Sequence, residues 1–259
     1  MTYTYNQSKL ETRFDQESLA WQNRYRTAPA NKFTYIDKQY RRKYVFDLLG
    51  SGPGLALDLG CGPGGFFHSL CDSGFTVIGL DYSQEMLKLA DEESKKNAGI
   101  QLVRGNALEL PFKPNTFDAI IAAGLPEYFP DDLQFTNELK RIIKPKGKII
   151  LTLRNSRCVE RNLWKFYRAF FNIQLEAAGD YREHNPGKLK AFILSQGFTH
   201  YRQRFSHFYP FPWPISEWLK PINNYLAHIM ERLFSKGPLD ILGSVFIASF
   251  EAPEQLKQK

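Results

Sequence analysis

Short apolar runs and stretches of helical periodicity take turns along most of this chain. Runs at 55–59, 76–80, 101–104, 117–121 and 148–153 have the length and content of buried strands. Helical patterns over 64–71, 83–95 and 133–143 separate most of them. Alternation of this kind predicts right-handed crossovers and a doubly wound, mostly parallel sheet with helices on both faces. The stretch "PGKLKAFILSQGF" adds a further helix, and "THYRQRF" and "GSVFIASF" supply a sixth and a seventh strand. The expected fold is therefore a Rossmann-like α/β domain with a seven-stranded sheet, spanning residues 1–259 as a single unit. Two helices fill residues 1–50: a polar one over 8–24 and another over 36–49 that stops at "GSGPG". A core over 51–155 follows. Insertions at 156–180 and 207–240 come after strands five and six, where loops at the ligand-binding end of such a sheet build caps.

The junction of the first strand and helix reads "LDLGCGPGGFF" over residues 57–67, and it carries the first chemistry. Gly60, Gly62 and Gly65 match the G-x-G-x-x-G spacing, which makes a tight turn and lets a ligand approach the backbone at a helix N-terminus. That spacing admits a dinucleotide, and an NAD-dependent oxidoreductase is one reading of the chain. Asp58 argues against it, because a carboxylate at the strand end repels a diphosphate and favours an ammonium or a sulfonium. S-adenosylmethionine (SAM) carries both cations and no phosphate.

At this point the sequence resembles the class I SAM-dependent methyltransferases. "LALDLGCGPGG" is similar to their first motif, with Asp58, Gly60, Gly62 and Gly64 in register and Cys61 between the glycines. "VIGLDYS" places Asp81 about 20 residues beyond the glycines, where an acid accepts the ribose hydroxyls. "VRGNALELPF" resembles the third motif, with Asn106 standing where the family usually has Asp, followed by Ala107. An Asn carbonyl also accepts from an adenine amino group. "FDAIIAAGLPEY" and "LKRIIKPKGKIILTLRN" match the fourth strand and the region up to the fifth. The resemblance implies SAM as cofactor and S-adenosylhomocysteine as product. It further implies Tyr82 and Met86 against the ribose and adenine, and Ala123 near the reactive methyl. Within the family the chain is most similar to the ubiquinone/menaquinone-type and magnesium-protoporphyrin methyltransferases, which act on small molecules.

Methyl transfer from a sulfonium is an in-line displacement on an activated donor, so the protein mainly aligns the acceptor and excludes water. A base is required only for an acceptor that is protonated at neutral pH. Glu127 and Tyr128 in "LPEY", together with His184 and His207 beside the insertions, are the candidates. Nucleic-acid amino methyltransferases carry an Asp or Asn, two prolines and an aromatic residue there. Here Leu125 offers no acceptor and Glu127 replaces the second proline, so nucleic acid is not the expected substrate. The rival from another class is a catalytically silent partner subunit that binds SAM without transferring its methyl.

Charge adds one further feature. The chain carries a net charge of +7, and residues 138–190 hold 13 Lys/Arg against 5 Asp/Glu. A helix over 157–175 would place Arg157, Arg161, Lys165 and Arg168 on one stripe and Val159, Leu163, Phe166, Phe170 and Ile173 opposite. Such a helix suits peripheral contact with an anionic membrane, or a cap whose apolar face packs on the core. Aromatic residues of the insertions (Trp164, Phe171, Phe208, Phe211, Trp213 and Trp218) predict a pocket for a hydrophobic or aromatic acceptor beside 124–128. Cys61, Cys71 and Cys158 have neither paired nor metal-like spacing, so no disulfide and no metal are expected. The first residues lack the layout of a signal peptide and no run is long enough to span a bilayer, which predicts a cytoplasmic protein.

Overall fold

The computed structural model describes residues 7–26, 33–97, 99–170, 181–208, 211, 215–235 and 239–254. Strand β1 (Gly54–Leu59) lies between β2 (Phe75–Asp81) and β4 (Phe117–Ala123), parallel to both. β3 (Ile100–Arg104) continues the sheet beyond β2, and β5 (Ile143–Arg154) beyond β4. β7 (Val245–Glu251) inserts antiparallel between β5 and β6 (Thr199–Ser206), giving the order 3-2-1-4-5-7-6. All seven runs read from the apolar spacing are strands, and β7 alone runs against the rest.

Helices α1 (Gln7–Arg26) and α2 (Phe33–Leu49) precede the sheet. Helices α3 (Phe67–Asp72), α4 (Gln84–Ser94), α5 (Leu133–Ile142) and α7 (Pro186–Ser195) connect its strands. The insertions contribute α6 (Val159–Phe170), α8 (Ile215–Trp218) and α9 (Lys220–Phe234). Because strand side chains alternate between faces, consecutive residues feed two separate cores. Leu57, Ile120 and Ile149 pack with Phe135 and Leu139 on one face, while Ala56, Ile121 and Ile150 pack with Val45, Phe67 and Leu70 on the other.

The start of the third helix differs from expectation for a backbone reason. Helix α3 begins at Phe67 rather than at residue 64, because Gly62 and Gly64 hold φ of +52° and +81°. A Cβ at Gly64 would also sit 2.7 Å from the Phe67 ring, and one at Gly79 only 2.6 Å from it. These glycines seat Phe67 against the sheet, which draws the turn tight over β1.

The strand order reverses between β1 and β4, so the crevice between their C-terminal ends is the place where such sheets take ligands. β5 and β6 also end on that edge, so α6 and α8–α9 leave from it.

Candidate cofactor cleft

At the switch point lies a cleft with an empty volume of about 970 Å³, part of it open to solvent. Its floor is the glycine turn Gly60–Pro63 and the ends of β2 and β4. Nine of the eleven residues anticipated for the cofactor line it: Gly60, Cys61, Gly62, Asp81, Tyr82, Met86, Asn106, Ala107 and Ala123. They come from four separate segments of chain, which the parallel pairing brings to one edge.

The polar groups of the floor are held from below. Asp81 accepts the Gly62 amide on Oδ2 at 2.8 Å and the Ser83 amide on Oδ1 at 2.9 Å. Burial pushes its carboxyl up from the ordinary range, and these N–H donors oppose the shift. Asn106 uses Oδ1 to accept the Leu108 amide at 2.9 Å, so its carbonyl serves the turn as well as the cleft.

Asp58 and Gly64 do not line the cleft. Gly64 packs on Phe67, as described above. Asp58 is 1% exposed beneath the turn, and its Oδ2 has no hydrogen-bond partner among the described residues. Burial, and then the neighbouring Asp81, push its carboxyl up to about 7. A buried acid left short of a donor next to an anionic neighbour is a site that a cation would satisfy.

The candidate bases separate. Tyr128 lines the cleft and meets the Phe14 ring edge-on at 5.2 Å, and burial lifts its phenol to about 12. Glu127 lies behind the cleft wall, where its Oε1 accepts from Arg154 Nε at 3.2 Å. Burial raises its carboxyl while Arg154 and Arg41 draw it down, leaving it above the usual range. His184 and His207 are both buried outside the cleft. His184 Nε2 lies 3.1 Å from Asp132 Oδ1, an ion-pair position that ties the segment after α6 to the loop before α5. His207 lies 2.6 Å from the Ser206 hydroxyl, and burial lowers it to about 3, which suits neither an acid nor a base at neutral pH.

The aromatic wall comes from elsewhere than expected. Leu10, Phe14 and Trp21 of α1 cover the cleft opposite Leu125, Tyr128 and Phe129. Asp15 hooks α1 to the first turn of α4 by accepting the Ser83 hydroxyl and, at 3.3 Å, the Glu85 amide. Glu11 pairs with Arg104 at the end of β3. The insertions do not enclose the cleft with the aromatics assigned to them. Phe208 is buried in the core, Trp164 stacks on Tyr167, and Trp218 is 78% exposed. Phe211 does not line the cleft, and Phe171 and Trp213 lie outside the described residues.

Residues 57–151 match the family model described as "Methyltransferase domain". The chain is 35% identical over 171 residues to the demethylmenaquinone methyltransferase of Oceanobacillus iheyensis, covering 55% of this chain and 68% of that protein. It is 41% identical over 99 residues to the corresponding enzyme of Bacillus licheniformis, covering 37% of this chain and 42% of that protein. The chain thus spans about half the length of the curated relatives it matches. Among solved structures, magnesium protoporphyrin IX methyltransferase from Synechocystis with bound S-adenosylhomocysteine superposes with a TM-score of 0.65 at 12% identity, covering 95% of this chain and all of that one. The (4+2) cyclase SpnF superposes with a TM-score of 0.63 at 14% identity, over 97% of this chain and 98% of that one. Likeness at these identities is likeness of fold. Sequence relatives, family model and architecture agree, and the chain belongs to the class I SAM-dependent methyltransferases.

Proposed function

We propose that this protein transfers a methyl group from SAM to a small, hydrophobic, aromatic acceptor of quinol type. The observation that carries the reading is the cleft itself, with acids and glycines on its floor and apolar and aromatic side chains on its walls. The demethylmenaquinone methyltransferases among its relatives act, by their name, on a quinone-derived substrate.

The residues present fit the cofactor. Asp81 is pinned by backbone amides at the cleft floor, where its carboxylate accepts the ribose hydroxyls. Asp58, buried beneath the glycine turn with no partner for Oδ2 among the described residues, supplies negative charge from below for the cationic methionine end. Met86 and Tyr82 flank the adenosine, and Asn106, which lines the cleft, reads adenine. When bound, SAM supplies an activated methyl group for in-line displacement.

The chain's own contribution is then alignment and dryness. Phe14, Trp21 and Tyr128 hold a flat acceptor against the end of β4 and keep water out. Glu127, behind the cleft wall at Gly124, is the base proposed for a phenolic proton. A Cβ built on Gly124, which lines the cleft, would lie 3.9 Å from Glu127 Oε1 and from Arg41 Nη1. Burial raises the Glu127 carboxyl, which makes it a better base than a free one, while Arg154 and Arg41 draw it back down. The fold alone does not decide the reaction, since a cyclase shares it. The deciding experiment incubates the protein with SAM and a reduced prenylated naphthoquinone, then measures S-adenosylhomocysteine and the mass of the quinol. One S-adenosylhomocysteine per added methyl supports the proposal. SAM binding without turnover on hydrophobic aromatic acceptors favours the silent-subunit alternative.

A further inference from the structure

Helices α6 and α9 are amphipathic the wrong way round for a water-facing surface. On α6, Val159, Leu163, Phe166, Tyr167 and Phe170 recur at the spacing of one helical stripe, and all are exposed, Phe166 by 70% and Phe170 by 73%. Its basic Arg161 and Lys165 turn instead toward the protein, where both pair with Glu183. Along α8–α9, Trp218, Ile222 and Tyr225 continue the pattern with 78%, 52% and 67% exposure. The opposite face of α9 buries the polar Asn223 and Glu231. Eleven of the fifteen large hydrophobic side chains exposed among the described residues lie in α6 or in residues 215–234. Apolar surface gathered in this way marks an interface.

Charge identifies the occupant. Arg161 and Lys165 of α6 are engaged by Glu183, and the one acid of α9, Glu231, is buried away from the stripe. Arg157 and Arg232 are exposed beside the two stripes. Aromatic and aliphatic side chains on an outward face with basic residues at its margins suit the boundary of an anionic bilayer. Topology adds position, because both insertions leave the sheet edge at which the cleft opens.

We infer that the outward stripes of α6 and α8–α9 seat this protein on an anionic lipid surface, with the cleft at that side of the molecule. An acceptor dissolved in the lipid then reaches the cleft without crossing water. This inference extends the proposed hydrophobic acceptor, but its test requires no turnover. Flotation of the full chain is measured with vesicles of phosphatidylcholine alone and of phosphatidylcholine mixed with phosphatidylglycerol, at low and high salt. The wild type should float with the mixed vesicles, less so at high salt. The double variants F166S/F170S and W218S/I222S should each lower partitioning about tenfold or more, with SAM affinity unchanged as evidence of an intact fold. A wild type that stays with the soluble fraction overturns the inference. So do variants that float like the wild type, or a wild-type dimer that the same substitutions dissociate. Flotation without methylation of any quinol would sink the proposed acceptor and leave the lipid surface standing.

Discussion

Asp58 makes cofactor binding depend on pH in a way that can be worked out in advance. Its carboxyl is buried with no partner for Oδ2 among the described residues, and burial and Asp81 raise its pKa to about 7. A cation bound above it offsets both effects, so binding expels the proton that the ligand-free protein holds. Below pH 7 the proton competes with the ligand, and affinity for SAM falls as pH falls. With the ordinary carboxyl range restored in the complex, affinity at pH 5 is about 75-fold lower than at pH 7.5, or about 2.5 kcal/mol. The window stops there because the α-amino group of the ligand itself titrates near 7.7–8.0. Asp81, also raised by burial, acts with the same sign, and its backbone amide donors moderate it. The Cys61 thiol between them is pushed well up and stays neutral. Titration calorimetry in two buffers of different ionisation enthalpy counts the protons, and about 0.9 should be released at pH 6 against about 0.5 at pH 7. Asp58→Asn should flatten the profile. A wild-type affinity independent of pH between 5 and 7.5 refutes the pairing.

The remaining expectations are simpler. Asp81→Ala should weaken SAM by about 1.5–3 kcal/mol, the cost of losing a charged acceptor, and calorimetry showing unchanged affinity would remove it from the ribose site. Asn106→Asp should retain binding and Asn106→Leu impair it, and equal affinities would show that adenine is read elsewhere. Asp15→Ala frees α1 from the first turn of α4, which should cost about 0.5–2 kcal/mol of cap energy and raise protease cleavage within α1 while the sheet stays folded. Phe67→Ala empties a fully buried site between Gly64 and Gly79 and should lower stability by about 3–5 kcal/mol in denaturant titration.

The strands and the glycine turn were legible because buried parallel strands leave unmistakable apolar runs, and a left-handed turn demands glycine. The floor of the cleft followed from them. Its roof did not. Leu10, Phe14 and Trp21 stand at i, i+4 and i+11, but Glu17 interrupts the stripe, so α1 reads as polar. Only in three dimensions does Glu17 explain itself, by accepting from Arg13 and from the Trp21 indole. His207 and His184 looked like available bases, since sequence carries no measure of desolvation. Periodicity likewise located the apolar stripe of α6 but gave no sign of its direction. A helical pattern states which residues share a face and is silent on what that face meets.

The antiparallel β7 has a consequence for how such a protein diversifies. It is the last strand, yet it lies between β5 and β6 and is hydrogen-bonded to both along their length. The two insertions are thus spliced into a hem whose stitching is complete without them, after strands that lie two and four places from β1 and its glycine turn. Residues added to or cut from either insertion change the outer rim and leave the handling of the adenosine untouched. A lineage can rewrite the rim, and with it the surface the protein meets, while the donor half stays under its own separate selection.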